Sequence, residues 1–422
     1  MRQEGMGILQ DYTQIIKKQK KSYLGKQNTL ILKILLKVLG IGKIIESIKM
    51  KKVKNLIVGC GLSGAILAER LASKGQEVLI IDKREHIGGN IYDYKDQESN
   101  ITVHKYGPHV FHTSIKEVWE YLSRFTKWHY FMYRVKAFID GKEVNIPFNL
   151  DTLHKVFPEY LAKELEQKLI SKFAFNSKIP ILELKNANDK DLEFLAEYIY
   201  KKVFLGYTVK QWGVKPEELD FSVSARVPVY ISRDDRYFID TYQAIPKDGY
   251  TKMIENIINH PLIKVQLNTD FKDIKKDIEY ERLFYTGAID EFFDYKFGRL
   301  PYRSLNIVFE TFDKEYMQSG PQINYPENYD FTRSVEYKYY LDEKSTKTIL
   351  SYEFPCEYEE GKNERYYPIP NDENQKLYEK YLKESAKLRN VVHFLGRLGD
   401  YKYYDMDKAV EGVLKFIKEL LQ

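Results

Sequence analysis

The 422-residue sequence predicts an α/β fold: a discontinuous Rossmann-like dinucleotide-binding domain, an inserted helical domain and an antiparallel β-sheet domain. Three observations carry this. A strand, glycine turn, helix and second strand follow one another from Val53 within about thirty residues. Helical patterns dominate 150–212. From 222 onward short apolar runs alternate with turns, as in 306–310 and 348–352.

The run from Lys54 to Val58 reads as a buried strand. Gly59-Cys60-Gly61-Leu62-Ser63-Gly64 follows at once, and a helix through Ala65, Leu67, Ala68 and Leu71 closes at Gly75. Val78–Ile81 is the second strand and ends on Asp82. Further helical patterns cover about 115–130 and 150–212. Val135–Phe148 interrupts them, and Asp140-Gly141 between apolar runs predicts a hairpin there. Leu283–Gly287 reads as a strand returning to the first sheet, which makes the nucleotide domain discontinuous. Helices are expected at about 371–387 and 407–421. The boundaries are then 1–51 for an N-terminal extension and 52–125, 241–300 and 385–422 for the nucleotide domain. A mainly helical domain takes 126–212, and the antiparallel sheet takes 213–240 and 301–384.

Composition narrows the function. Hydrophobic residues make up 43% of the chain, enough for a large core. Two cysteines, Cys60 and Cys356, form neither a disulfide framework nor a metal-ligand spacing, and a reducing, cytoplasmic setting fits. Residues 1–52 carry twelve Lys or Arg against three Asp or Glu, a net of +9. The total is +5, so the body is mildly acidic and shows no nucleic-acid footprint. The apolar stretch 30–45, with Lys33 and Lys37 one turn apart, is too short and too charged to span a bilayer. It suits a helix lying on a membrane surface; the alternatives are an extension docked on the body or a true start at Met50.

The glycine motif has its required context of strand, helix and acidic residue. Gly59 permits the turn, Gly61 lets the backbone approach a pyrophosphate, and Gly64 lets helix and strand pack closely. The helix N-terminus attracts the anion, and Asp82 can accept from a ribose hydroxyl. A second glycine pair follows in Asp82-Lys83-Arg84-Glu85-His86-Ile87-Gly88-Gly89-Asn90, and Gly396-Arg397-Leu398-Gly399 precedes the last helix. Both resemble FAD-binding proteins of the glutathione-reductase and amine-oxidase type. No second glycine unit for a pyridine nucleotide follows.

His104-Lys105-Tyr106-Gly107-Pro108-His109-Val110-Phe111-His112-Thr113 sets three histidines around a Gly-Pro turn. With the FAD motif, this segment resembles the bacterial UDP-galactopyranose mutases. Gly206-Tyr207-Thr208-Val209-Lys210-Gln211-Trp212-Gly213 is similar to that family's GYTxKQWG. Arg226-Val227-Pro228-Val229, Arg236–Phe238, Asp240–Gln243, Arg303, Phe331–Arg333, Tyr366–Pro368 and Arg397 with Tyr403–Met406 continue the series. The resemblance covers about 53–420. Tyr230 and Phe331 depart from it.

The resemblance implies FAD, active in its reduced form, and the interconversion of UDP-galactopyranose and UDP-galactofuranose. The reduced flavin N5 would attack the sugar's anomeric carbon, with no net redox change. It assigns the cofactor to Gly59, Gly61, Leu62, Ser63, Gly64, Asp82, Lys83, Gly89, Asn90, His109, Arg397, Asp405 and Met406. Substrate would meet Phe204, Tyr207, Trp212, Arg226, Tyr237, Phe238, Arg303, Arg333, Tyr367 and Tyr403. Arg226, Arg333, His109 and Asp405 would serve catalysis. An external reductant and a homodimer are further expectations. The alternatives are a mutase for UDP-N-acetylgalactosamine or dTDP-fucose, and a flavin oxidoreductase.

Overall fold

In the computed structural model, which describes residues 52–213 and 228–421, the chain opens on β1 (Val53–Val58), α1 (Leu62–Ala72) and β2 (Val78–Ile81). Leu56, Ile57, Ile80 and Ile81 are fully buried, as in strands covered on both faces. α1 is apolar nearly all round, with Ala65 through Ala68 and Leu71 fully buried, so it is an interior helix. A small hairpin, β3 (Asp93–Lys95) and β4 (Thr102–His104), leads to β5 (Phe111–Thr113), α2 (Lys116–Leu122) and β6 (Trp128–Tyr130). β7 (Val135–Ile139) and β8 (Lys142–Ile146) form the hairpin expected at Asp140-Gly141.

The helical block follows: α3 (Leu150–Val156), α4 (Glu159–Phe173), the short strand β9 (Lys178–Ile179), α5 (Ile181–Lys185) and α6 (Lys190–Ile199). Asn149 and Asp189 cap α3 and α6 by accepting from main-chain amides of their first turns. A π-helical stretch, Tyr200–Leu205, runs into α7 (Gly206–Trp212), which Gly213 ends in the left-handed conformation. After residue 227 come β10 (Val229–Tyr230), β11 (Tyr242–Pro246), α8 (Tyr250–Ile258), β12 (Ile263–Gln266), α9 (Phe271–Ile274), β13 (Tyr280–Tyr285) and α10 (Ile289–Phe292). The order is completed by β14 (Tyr302–Phe312), β15 (Gln322–Asn324), β16 (Arg333–Glu336), β17 (Thr348–Glu357), β18 (Tyr367–Pro368), α11 (Asp372–Ser385), β19 (Val392–Phe394), α12 (Gly396–Gly399) and α13 (Met406–Leu420).

Two sheets organise these elements. The first is wholly parallel, in the order β12-β2-β1-β13-β19, so the late strand at 280–285 does return beside β1. The second has seven strands in the order β18-β14-β17-β16-β15-β7-β8. It is antiparallel except where β15 runs parallel to β7. Val53–Lys275 and Tyr280–Gln422 form one compact unit.

Several of the expected boundaries move: β6, within 126–212, pairs instead with β11 of the nucleotide domain. β7 and β8 fall within 126–212 but belong to the large sheet, because Val135, Lys136 and Ala137 pair with Gln322, Ile323 and Asn324. In the other direction, 228–240 leaves that sheet, and β10 pairs with β9 in the helical block. The basic apolar stretch 30–45 is outside the described residues. Among those described, no helix is long and apolar enough to cross a membrane.

Candidate active site

The parallel sheet ends in a cleft at the carboxyl ends of β1, β2 and β13, where such sheets bind ligands. At Gly64 a Cβ would lie 2.0 Å from the Gly59 carbonyl, so only glycine lets α1 pack on the turn. α1 has no side-chain N-cap and no acid in its first turn. Its first amides, at Leu62, Ser63 and Gly64, therefore offer free donors and the positive helix end to the cleft they line. Asp82 is held in place: its carboxylate accepts from the Cys60 amide at 2.7 Å and the Arg84 amide at 2.9 Å. Each oxygen keeps a lone pair for a ligand hydroxyl. The second glycine pair meets the first, and a Cβ on Gly89 would come within 2.9 Å of the Gly61 Cα. Such a cradle fits the diphosphate and ribose of a dinucleotide.

Every residue assigned to the cofactor lines this one cleft: Gly59, Gly61, Leu62, Ser63, Gly64, Asp82, Lys83, Gly89, Asn90, His109, Arg397, Asp405 and Met406. Arg84 and Glu364 line it too, outside that assignment. The Arg84 guanidinium donates to Asn90 at 2.9 Å and to Glu364 at 2.8 Å, a tie across 280 residues that no local pattern signals.

A second cavity, of about 600 Å³, adjoins the first; the two share His109, Arg397, Tyr404, Asp405 and Met406 in their walls. Phe204, Tyr207, Trp212, Tyr237, Phe238, Arg333, Tyr367 and Tyr403 line it. Arg226 lies outside the described residues. Arg303 is a correction: it is buried away from the cavity, and its guanidinium donates to the Gln211 and Lys210 carbonyls at 3.1 and 3.2 Å. It caps the carboxyl end of α7, where a cation meets the negative end of the helix dipole.

Arg333 opens β16 and faces Glu353 across the sheet, in register on β17. Their charges meet at 2.7 Å, and Glu353 is fully buried. Burial works against charge on Arg333, but Glu353 overrides it and holds the guanidinium well above its usual pKa. Burial likewise raises the hydroxyls of Tyr207, Tyr237 (to about 12) and Tyr367, so they stay protonated and can donate. Tyr367 and Tyr403 pack 5.3 Å apart beside Trp212, and the Arg397 guanidinium stands 4.6 Å over the Tyr403 ring.

The histidines resolve into distinct roles. The His109 amide donates to His104 Nδ1 at 3.0 Å, so that nitrogen is an acceptor. His109 Nδ1 lies 2.8 Å from the Gly107 carbonyl, which can only accept, so Nδ1 carries the proton. Burial, with His104, Arg397 and Arg333 nearby, pushes His109 down to about 3; burial does the same to His104. Neutral His109 therefore keeps a bare Nε2 acceptor, on a side chain that lines both cavities. His112 stacks 3.5 Å from Phe238, with its Nδ1 2.9 Å from Asp240.

Tyr133, Gln322 and Asn324 line the second cavity without having been expected there. Tyr133 donates to Gln322, which donates to Asn324 at 2.7 Å. The only sequence signal was the strand alternation that puts residues 322 and 324 on one face. The departures Tyr230 and Phe331 line neither cavity. Phe331 packs among Tyr325, Tyr352 and Phe354, so its missing hydroxyl alters packing rather than a cavity contact.

Fold and site together define a dinucleotide-binding protein of the flavoprotein type, with a ligand cavity that meets the cofactor cleft. A family model described as UDP-galactopyranose mutase matches residues 202–403, and one described as an NAD(P)-binding Rossmann-like domain matches 57–125. A probable UDP-galactopyranose mutase of Klebsiella pneumoniae is 38% identical over 370 residues, covering 87% of this chain and 94% of its own. A dTDP-fucopyranose mutase of Escherichia coli is 36% identical over 373 residues, covering 86% and 97%. The crystal structure of a reduced UDP-galactopyranose mutase shares the fold, with a TM-score of 0.67 at 15% identity, covering 88% and 94%. The chain belongs to the UDP-galactopyranose mutase family, as its ordered motifs imply. Its cofactor is FAD.

Proposed function

We propose that this chain is an isomerase interconverting UDP-galactopyranose and UDP-galactofuranose. The observation that carries the reading is the meeting of two cavities at His109, Arg397 and Asp405, one built for a dinucleotide and one lined by a half-buried arginine, tyrosine hydroxyls and aromatic rings. Held in the first cavity in its reduced form, FAD would supply a nucleophile at N5 with no net redox change.

The protein's own part is orientation and charge. The amides at the start of α1 hold the FAD pyrophosphate, and Asp82 takes a ribose hydroxyl. Arg333 grips the substrate diphosphate through a planar fork that can meet two oxygens at once. Glu353 keeps that fork charged and aimed. Arg226 completes the pair in this reading. Tyr237, Tyr367 and Tyr403 donate to phosphate oxygens, which holds UDP close while its bond to the sugar is broken and remade. Trp212 flanks the sugar, while Phe204, Tyr207 and Phe238 hold the nucleoside. His109 Nε2 accepts a hydrogen bond where cofactor and sugar meet, and Asp405 orients groups at the same boundary. A cytoplasmic homodimer served by an external reductant belongs to the same reading, as does peripheral membrane contact through residues 30–45.

Product chromatography tests it. Reduced, FAD-loaded protein is incubated anaerobically with UDP-galactopyranose, UDP-N-acetylgalactosamine or dTDP-fucopyranose. A furanose product from the first supports the reading. A furanose formed only from one of the others would move the substrate, and none from any would end the mutase assignment.

A further inference from the structure

Lys210 stands on α7 among residues that line the substrate cavity, yet does not line it. Its ammonium donates instead to four main-chain carbonyls, those of Tyr325, Glu327 (2.9 Å), Tyr329 (3.1 Å) and Phe331 (3.2 Å). These belong to the loop between β15 and β16. Four carbonyl dipoles converging on one point repel one another and need a donor when they are removed from water. An ammonium meets both needs, with a positive charge and three hydrogens, one of them shared between two carbonyls. Burial pulls Lys210 down to about 8, so the charge is retained at neutral pH.

The loop joins two parts of the cavity wall. β15 brings Gln322 and Asn324, and β16 begins with Arg333. α7 supplies Tyr207, Thr208, Gln211 and Trp212. Contact between the walls is close: a Cβ at Gly206 would lie 2.1 Å from the Pro326 carbonyl. α7 itself is short and joined at both ends by irregular backbone, the π-helical turn before it and left-handed Gly213 after it. Its own register therefore does little to fix where it sits.

We propose that Lys210 is a positioning residue: its ammonium fastens the 325–331 loop to α7 and so fixes the spacing between Tyr207 and Trp212 on one wall and Arg333 on the other. The proposal rests on the second cavity being the nucleotide-sugar site. Without the fastening, the arginine and the aromatic wall no longer close on the ligand together.

The test is UDP titration of the FAD-loaded protein, followed by calorimetry, alongside kcat and KM. Lys210→Met keeps the length and removes the charge. Its UDP Kd should rise about tenfold and its kcat/KM fall by about a hundredfold, the scale of a misplacement near 1 Å, while FAD content is unchanged. Lys202→Met is the control. It removes a lysine of the π-helical stretch that also binds the loop, pairing with Glu327 at 2.8 Å, and should leave UDP affinity as it was. Lys210→Ala should regain UDP affinity when ethylammonium is added. Unaltered UDP affinity in Lys210→Met, an equal loss in Lys202→Met, or no recovery with ethylammonium would overturn the proposal. Failure of the unaltered protein to bind UDP would instead overturn the functional reading beneath it.

Discussion

Arg333 and Glu353 set the energetics of the substrate cavity. A charge-assisted hydrogen bond is worth about 1.5–3 kcal/mol, so Arg333→Ala should lower turnover roughly ten- to hundredfold, as read by steady-state kinetics. Glu353→Gln acts differently. It leaves the half-buried Arg333 guanidinium without its carboxylate and should cost about 1–3 kcal/mol of stability in urea unfolding. Equal stability in that variant would mean that Arg333 finds another anion. His104 and His109 give a pH signature. Burial holds both neutral down to about 3, against an ordinary value of 6.5. The unfolded chain therefore takes up protons across that window that the folded chain refuses, and stability falls as pH drops from 6.5 toward 3. The drop in urea midpoint should be smaller in His109→Asn than in the unaltered protein; identical pH profiles would refute the buried neutral state. Arg333 and His109 were legible from motifs. Glu353 was not, because a lone glutamate in Ser351-Tyr352-Glu353-Phe354 gives no sign that its strand pairs with β16. Arg303 was assigned to substrate through the resemblance alone, and a motif match does not say which way a side chain leaves the backbone.

At the scale of elements, the turn from β1 to α1 was the most legible part, since every requirement on it is local. Gly64→Ala tests it. The added Cβ would collide with the Gly59 carbonyl at 2.0 Å, and neither backbone segment can move without opening the strand-helix contact. The purified variant should contain little FAD, judged by flavin absorbance. Normal occupancy would show that the turn can relax. The β7–β8 hairpin was legible as a hairpin but not as part of the large sheet, because Val135–Ala137 finds its partner at 322–324. Pairing over nearly two hundred residues leaves no periodicity to read. The same holds for β10, which alternation alone could not assign to β9.

Across the whole molecule, the parallel sheet builds one cavity and the large sheet with the helical block builds the other, and His109 borders both. All the family motifs lie after residue 52, so a chain starting at Met50 should bind FAD and turn over as the full chain does. Loss of flavin in it would make residues 1–49 part of the fold. In the proposed reaction the flavin must be reduced but is not consumed. Anaerobic turnover, counted as furanose formed per reducing equivalent supplied, tests this most directly. Near-inactivity is expected in the oxidised protein, and many products per equivalent once the flavin is reduced. One product per equivalent, or full activity in the oxidised protein, would contradict it.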